Sequence, residues 1–261
     1  MLKGLYTAYT GLRNEQYRMD IMSNNLANSS TVGYKKEGST SQTFDAVLAY
    51  KLKDTTEVGN LPRRIGYNNP GVKIGEVYND FTQGSFQITD NTFDLALSDN
   101  GFFTIEFTNK AGETSTKYTR AGDFTLNKDG FLVTKDGDYV LDTNGERIQI
   151  PGAQTAQNVA IDAKGNITVD GQNVATLGIA SFANPQALLL YGENMYDATD
   201  AAGLQASTAT VHQGYLEMSN TNVIEEMVDM ITITRAYEAG QKMIQTVDST
   251  LEKAANDIGR V

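Results

Sequence analysis

VIEEMVDMITITRAYEAGQKMIQTVDSTLEKAAND, residues 223–257, decides the fold of this 261-residue chain. Its apolar and aromatic side chains recur on a seven-residue step, at Val223, Met230, Tyr237, Ile244 and Leu251. A seven-residue step keeps these side chains on one seam of a helix, and an apolar seam needs a partner. The stretch therefore predicts a helix over residues 223–255 that packs along another helix.

The other end of the chain carries a matching seam. Residues 3–27 predict a helix whose seven-residue step holds Leu5, Leu12, Met19 and Leu26. Residues 1–75 have ten Lys and Arg against six Asp and Glu, whereas residues 201–261 have four against eight. Opposite charge favours pairing of the two ends over self-pairing of either one. We therefore predict an α+β fold in which N- and C-terminal α-helices pair as a coiled coil.

Between the helices, the sequence predicts a central all-β domain of short antiparallel strands. Short apolar or alternating runs, such as FFTIEF, DFTL, FLVT, RIQI and NITV, are separated by turn dipeptides. These dipeptides are typical of hairpins, and they are Ala111-Gly112, Asp129-Gly130, Asp136-Gly137, Asn144-Gly145, Lys164-Gly165 and Asp170-Gly171. The β domain is expected over residues 76–205.

These boundaries divide the chain into four parts. Residues 1–34 are the N-terminal helix and an Asn-rich turn, and residues 206–261 contain the C-terminal helix. Residues 35–75, which are basic and interrupted by Pro and Gly, predict an extended arm with a short helical segment around Phe44–Leu52. We predict that assembly uses both seams together with Asn24, Asn25, Asn28 and Met227.

Composition excludes several classes of function. Cysteine is absent, which removes disulfides, thiolate metal sites and cysteine nucleophiles. The central part, residues 76–200, has seven Lys and Arg against eighteen Asp and Glu, which argues against binding to nucleic acid. No apolar run reaches 18 residues, so we expect no membrane span, and the first residues do not resemble a cleavable signal peptide.

No catalytic, cofactor or metal site is predicted. The single histidine, His212, has no G-x-S-x-G motif to accompany it, so a Ser-His-Asp triad is not expected. Asp136, Asp138 and Asp142 do not fit the frame of a calcium-binding EF-hand loop and are interpreted as turn and edge charges. Two alternatives to a structural role stay open: a cell-wall hydrolase that uses a pair of carboxylates, and a surface adhesin on a coiled-coil stalk.

Three segments resemble the bacterial flagellar basal-body rod and hook protein family. Residues 4–37 contain NNxAN and a T-x-G-aromatic-Lys turn that ends at Lys35. Residues 94–107 and 118–141 contain GFF, YTR-x-G-x-F and DG-x-LV in order, and residues 213–251 contain G-x-LE-x-SN, EM-x-x-MI and RAYEA. The family usually has Asn after RAYEA, where this chain has Gly240. The motifs span nearly the whole chain.

The resemblance implies a structural axial protein rather than an enzyme. Its terminal helices would form the inner tube of the flagellar rod, and its β domain would lie outside. Its expected partners are further copies of itself, other rod and hook proteins, and the flagellar type III export apparatus. The length and the single β domain are similar to those of rod members, with a distal position in the rod favoured and a proximal position as the alternative.

Overall fold

A computed structural model describes residues 2–45, 47–51, 63–110, 112–150, 159–192 and 194–258. The chain forms two compact units. The helical unit combines the two terminal helices with the segment 37–78, and the β unit combines residues 79–222 with the short segment 27–36. Each unit is therefore assembled from stretches that are distant in sequence.

Both terminal helices are confirmed. Helix α1 spans Leu2–Ala27 and helix α2 spans Val223–Ile258. Asn25 Nδ2 donates to Glu226 Oε2 at 3.3 Å. A Cβ atom on Gly240 would lie 2.9 Å from Cδ2 of Leu12. The two contacts lie 13 residues apart on α1 and 14 apart on α2, in opposite order, so the helices run antiparallel in this unit. Pairing of the two seams as a coiled coil stays a prediction.

The segment 37–78 adds four strands to the helical unit: β1 Glu37–Thr43, β2 Val47–Lys51, β3 Arg63–Asn68 and β4 Val72–Asn79. Strands β1 and β4 form one pair, and β2 and β3 form an antiparallel pair. The short helix predicted around Phe44–Leu52 is wrong, because Val47–Lys51 is a strand; Leu52 lies outside the described residues. Pairing with β3 across the sheet outweighs the weak helical preference of this stretch.

The β unit confirms a domain of many short antiparallel strands. They are β5 Phe86–Ile88, β6 Leu95–Ser98, β7 Phe102–Thr108, β8 Thr114–Thr119, β9 Thr125–Leu126, β10 Leu132–Val133, β11 Tyr139–Val140, β12 Val159–Ile161, β13 Asn166–Val169, β14 Gln172–Thr176, β15 Ile179–Phe182, β16 Leu188–Gly192, β17 Met195–Ala198, β18 Leu204–Ala206, β19 Thr210–Gln213 and β20 Tyr215–Glu217. Single 3₁₀ turns occupy Pro185–Ala187 and Asp200–Ala202. The glycines of all six predicted turn dipeptides have positive φ, as hairpin turns require.

One nine-stranded sheet organises this unit. Its main path runs β16-β17-β8-β7-β11-β10-β9, and β15 joins β7 on one side and β18 on the other. Strands β12, β13 and β14 form a separate three-stranded sheet. Two further antiparallel pairs tie distant parts of the chain together, because β19 pairs with β6 and β20 pairs with β5.

The core of the β unit is apolar and aromatic. Its larger cluster contains fifteen buried side chains, among them Leu95, Phe103 and Phe124, and the rings of Phe103 and Phe124 meet edge to face at 5.0 Å. A smaller cluster gathers around Phe102 and Tyr196. Burial of an aliphatic or aromatic side chain contributes about 1.5–3 kcal/mol. The β unit therefore has a substantial core of its own.

Candidate functional site

The predicted seam residues are half-buried in the isolated chain. Leu5, Leu12, Met19 and Leu26 on α1 are all partly covered. The same holds for Met230, Tyr237, Ile244 and Leu251 on α2, whereas Val223 and Met227 are exposed. Apart from the two exposed residues at the start of α2, every predicted seam side chain is partly exposed to solvent. Such side chains retain apolar area that a further partner can cover.

Partial burial on both helices follows an alternating spacing of three and four residues. On α1 positions 5, 8, 12, 15, 19, 22 and 26 are half-buried, and on α2 positions 230, 237, 240, 244, 247, 251 and 254 are half-buried and 233 is buried. Further covered positions, among them 10, 14, 21 and 25 on α1 and 226 on α2, lie outside this series or extend it. This spacing is that of the a and d positions of a heptad. The seven-residue step predicted from the sequence includes only part of this series, because it follows one of the two heptad positions; the other holds Met22, Ile233 and Val247 but also Glu15 and Gly240.

Both helices also expose large apolar side chains to solvent. On α2 the exposed apolar side chains are Ile224, Met227, Val228, Ile231 and Met243, and on α1 they are Tyr6, Tyr9 and Tyr17. None of the described helices has both the length and the apolar character needed to cross a membrane. Apolar patches of this kind on a protein surface mark interaction sites.

Asn25, the second Asn of the NNxAN motif, is the most buried of the predicted Asn residues. Its side chain accepts from the backbone N–H of Glu37 and donates to the Glu37 carbonyl, both at 2.9 Å. Its Nδ2 also donates to the fully buried Glu226. One amide group therefore ties the end of α1 to the start of β1 and the first turn of α2. Asn24 is exposed, and Asn28 is half-buried and accepts from the Thr31 hydroxyl at 3.2 Å.

The turn after this motif is held tightly in the β unit. Gly33 has a φ of +69°, and its N–H donates to the carbonyl of Glu217 at 2.8 Å. A Cβ atom at Gly33 would lie 2.4 Å from the backbone N of Ala121. Only glycine fits here, because both the positive φ and the close backbone approach exclude a side chain.

A buried ionic cluster lies beneath the turn. Lys35 Nζ contacts Glu217 Oε1 at 2.6 Å, and Arg120 Nη1 contacts Glu217 Oε2 at 3.2 Å. The three side chains are between 0 and 1% exposed. The carboxylate also accepts from the N–H of Gly84 at 3.0 Å, and Lys35 donates to the carbonyl of Thr82 at 2.8 Å. One carboxylate therefore joins two cations and a strand-free loop.

Burial shifts the pKa values of both cations in this cluster. It lowers the pKa of the Lys35 ammonium from its ordinary value, and the Glu217 carboxylate acts in the opposite direction. Burial likewise lowers the pKa of the Arg120 guanidinium, again opposed by Glu217. Arg120 also donates to the carbonyls of Leu97 and Asp99. The two cations are charged groups that depend on one carboxylate for compensation.

The cluster joins three sequence motifs that lie far apart in the chain. Lys35 ends the T-x-G-aromatic-Lys turn, Arg120 belongs to YTR-x-G-x-F, and Glu217 belongs to G-x-LE-x-SN. The three motifs are visible in the sequence, but the sequence alone gives no role to Arg120 or Glu217. A charged residue inside an otherwise apolar or turn-forming motif indicates a buried ion pair. The spacing of the motifs does not show which residue of opposite charge completes the pair.

The described part of the chain offers no arrangement for metal binding or histidine catalysis. No group of three or more His, Cys, Asp or Glu side chains there could hold a metal ion. His212 is exposed, and its ring packs against Phe86 at 5.6 Å and Tyr215 at 6.2 Å. The side chain of Asp142 accepts from the backbone N–H groups of its own turn at 2.7 and 2.8 Å.

Three family models match separate parts of the chain. Residues 5–35 match "Flagella basal body rod protein", and residues 96–169 match "Flagellar hook protein FlgE/F/G D1 domain". Residues 212–257 match "Flagellar basal body rod FlgEFG protein C-terminal". The matched segments include Lys35, Arg120 and Glu217, so the buried cluster is built from all three.

Curated relatives match over nearly their full length. The flagellar basal-body rod protein FlgG of Bacillus subtilis is 32% identical, with 98% of this chain and 99% of the relative covered. FlgG of Agrobacterium fabrum is 35% identical, with 95% and 96% covered. The flagellar hook-basal body complex protein FlhO of Bacillus subtilis is 30% identical over the whole of both chains.

Proposed function

The chain belongs to the family of flagellar basal-body rod proteins, and on that premise we propose that it is a distal rod subunit that polymerises through its terminal helices. As a family member it is a structural component of the flagellar basal body, not an enzyme, and assembles with other flagellar rod and hook proteins. The polymer would be the axial tube that transmits torque from the motor to the hook. A distal position is supported by the similarity to FlgG proteins of several bacteria.

The observation that carries the proposal is the state of the two seams. Positions of both helices with heptad spacing are half-covered in the single chain. Partial cover supports an antiparallel coiled-coil pair that is completed by neighbouring copies. The interface would comprise Leu5, Leu12, Met19, Leu26, Asn24, Asn25, Asn28, Val223, Met227, Met230, Tyr237, Ile244 and Leu251. A contact between unlike surfaces that does not close on itself extends as a helical filament.

The same seams support export in an incompletely folded state. Gly4 and Gly11 in α1 and Gly240 in α2 each lower helix stability by about 1 kcal/mol relative to Ala. Helices that are weak without partners pass more easily through a narrow channel and fold where neighbours supply contacts. We propose passage through the flagellar type III export apparatus, without a cleaved signal peptide.

Seam substitutions test the proposal. Leu12→Asp or Ile244→Asp would place a charge in a shared apolar contact, which costs several kcal/mol, so rods should fail to form and motility should be lost. Gln16→Asp and Gln245→Asp are matched controls, because these positions lie on the same helices and are exposed. The measurements are motility in soft agar and the yield of isolated basal bodies.

Two outcomes would contradict the proposal. Normal rods with Ile244→Asp would show that the seam is not an assembly interface. Peptidoglycan cleavage by the purified chain in a zymogram would favour the hydrolase alternative. The position along the rod is tested separately, by electron cryo-microscopy of basal bodies in which the chain carries a small label. A label at the cell-proximal end would overturn the distal assignment.

A further inference from the structure

A pocket on the helical unit is aromatic and basic. It lies between α1 and the segment 37–78 and has a volume of about 240 Å³. Tyr6, Tyr9 and Phe44 supply aromatic walls, and Arg13 and Lys73 supply two cations. Lys73 Nζ lies 5.9 Å from the centre of the Phe44 ring. Among the described residues that line this pocket there is no acidic side chain. The pocket therefore suits an apolar ligand that carries negative charge.

An apolar ridge on the first half of α2 has the complementary character. Ile224, Val228 and Ile231 follow a spacing of four and three residues on one face, and they are 75%, 55% and 53% exposed. Met227 borders the same face and is also exposed. The segment 223–238 has four acidic residues and one basic residue, Arg235. Glu226 is buried, so the negative charge at the surface comes from Glu225, Asp229 and Glu238. An exposed apolar ridge in an acidic helix is the kind of surface that the pocket fits.

The ridge of one chain does not reach the pocket of the same chain. Leu26 lines a groove together with Met227 and Ile231, so the ridge lies beside the end of α1. The pocket uses Tyr6 to Asn14, at least 12 residues earlier in α1. At a rise of 1.5 Å per residue, this separation is about 18 Å along the helix. Pocket and ridge therefore face different neighbours.

We propose that the pocket formed by Tyr6, Tyr9, Arg13, Phe44 and Lys73 receives the Ile224–Ile231 ridge of α2 from a second copy of this chain. The inference rests on the proposed function, since it names which surfaces meet during polymerisation. Because pocket and ridge lie at opposite ends of the helix pair, a bound pair still exposes one pocket on one copy and one ridge on the other. The contact is heterologous and extends the assembly in one direction.

Apolar burial gives the contact its affinity, and opposite charges give it a direction. Covering the ridge removes apolar area from water, at about 25 cal/mol per Å². Arg13 and Lys73 oppose the negative charge of the α2 segment, which steers the encounter and disfavours pocket against pocket or ridge against ridge. Opposite charge on the two surfaces thus favours a head-to-tail order over a symmetric dimer.

Cysteine cross-linking tests the contact directly, because the chain has no cysteine of its own. Cells of the bacterium that makes the chain would produce two versions together, Tyr9→Cys and Val228→Cys. Isolated basal bodies would be treated with a short bismaleimide, and cross-linked peptides identified by mass spectrometry. Since each copy carries one cysteine, every link joins two copies. We expect position 9 joined to position 228, and no link when Gln245→Cys replaces Val228→Cys.

Each other result overturns the inference. Links of position 9 to 9, or of 228 to 228, would indicate a symmetric contact. Intact rods without a 9-to-228 link would show that polymerisation uses other surfaces, and the proposed function would survive. Absence of the unsubstituted chain from basal bodies would overturn both the inference and the proposed function. As a second measurement, Val228→Asp should reduce rod yield at least tenfold, whereas Gln241→Asp should not, because Gln241 is exposed on the same helix about 15 Å beyond the ridge.

Discussion

The β unit and the helical unit bury opposite kinds of side chain. The β unit buries a core of aliphatic and aromatic residues and one compensated ionic cluster. The described parts of the two helices bury six side chains, and only Ile21 and Ile233 are apolar; the others are Thr10, Asn14, Asn25 and Glu226. Meanwhile large apolar residues on the helices stay exposed. The β unit also exposes large apolar side chains, such as Ile88, Leu189 and Leu204. The two units therefore differ in whether they bury an apolar core, not in whether they expose apolar surface.

The difference between the two units predicts that the β unit folds alone and that the helical unit depends on assembly. A domain with a sufficient core is stable without partners, whereas helices gain most of their stability from packing of an apolar face. The β unit can therefore fold without partners, whereas the helices gain stability when neighbouring copies cover their apolar faces. Within the β unit, the buried cluster around Glu217 fixes the turn that follows α1.

The largest expected effect is a contrast in local stability between the units. In a dilute monomer, amides in β7 and β8 should exchange with the global unfolding free energy, whereas amides of α1 and α2 should open at nearly no cost. Because global stability is about 5 kcal/mol or more, protection in the β unit should be at least 10³-fold higher. Hydrogen exchange with mass spectrometry measures this contrast.

Limited proteolysis provides an independent check of the same contrast. Proteases should remove both helices from a monomer and spare a core that retains β19 and β20, since these strands pair with β6 and β5. Equal protection of helices and strands would mean that the helical unit folds alone. In that case export would require active unfolding of an intramolecular helix pair.

The next effect concerns the buried cluster. Glu217→Gln preserves the shape of the side chain but leaves Lys35 and Arg120 without a compensating charge. Removing one partner of a buried ion pair costs about 3–5 kcal/mol, and urea unfolding followed by fluorescence or circular dichroism should report a loss of this size. The matched control is Glu106→Gln, which removes the bidentate Arg147 pair at the surface. Exposed pairs contribute about 1 kcal/mol or less.

Much of this architecture was predictable from local patterns. The two helices followed from the seven-residue steps, and the turns followed from residues such as Asp136-Gly137, because helix seams and hairpin turns depend on nearby sequence. The strand at Val47–Lys51 was missed for the opposite reason. Its conformation is decided by pairing with Arg63–Asn68, which is a contact with a separate strand rather than a local preference.

The ionic cluster was beyond prediction from spacing. Lys35 and Glu217 are 182 residues apart, and nothing in the local sequence of either predicts that they share a buried site. The heptad positions occupied by Glu15 and Gly240 were missed because neither residue is a typical apolar knob. Gly240 fits the seam because Leu12 occupies the space that a side chain would need. The same contact explains why glycine follows RAYEA in this chain.

A smaller effect tests how the turn after α1 is held. Gly33→Ala should destabilise the β unit by about 2–4 kcal/mol, because the left-handed conformation and the close approach to Ala121 each carry a cost. Gly137→Ala is the matched control: its φ is +100°, but no atom lies within 4 Å of the added carbon. Gly137→Ala should lower the unfolding free energy only through the unfavourable left-handed backbone conformation, by about 1–2 kcal/mol. Equal losses in urea unfolding would mean that the contact with Ala121 relaxes freely.

The smallest effect is expected at the only histidine. His212 is exposed and makes ring contacts with Phe86 and Tyr215, and such contacts contribute about 0.5–1.5 kcal/mol even in favourable geometry. His212→Ala should therefore lower the unfolding free energy of the β unit by about 1 kcal/mol or less and leave motility unchanged. A structural subunit has no need of an imidazole proton at this position. Loss of motility with unchanged stability and normal rod yield would show that His212 has a chemical role, and would reopen the question of activity in the β unit.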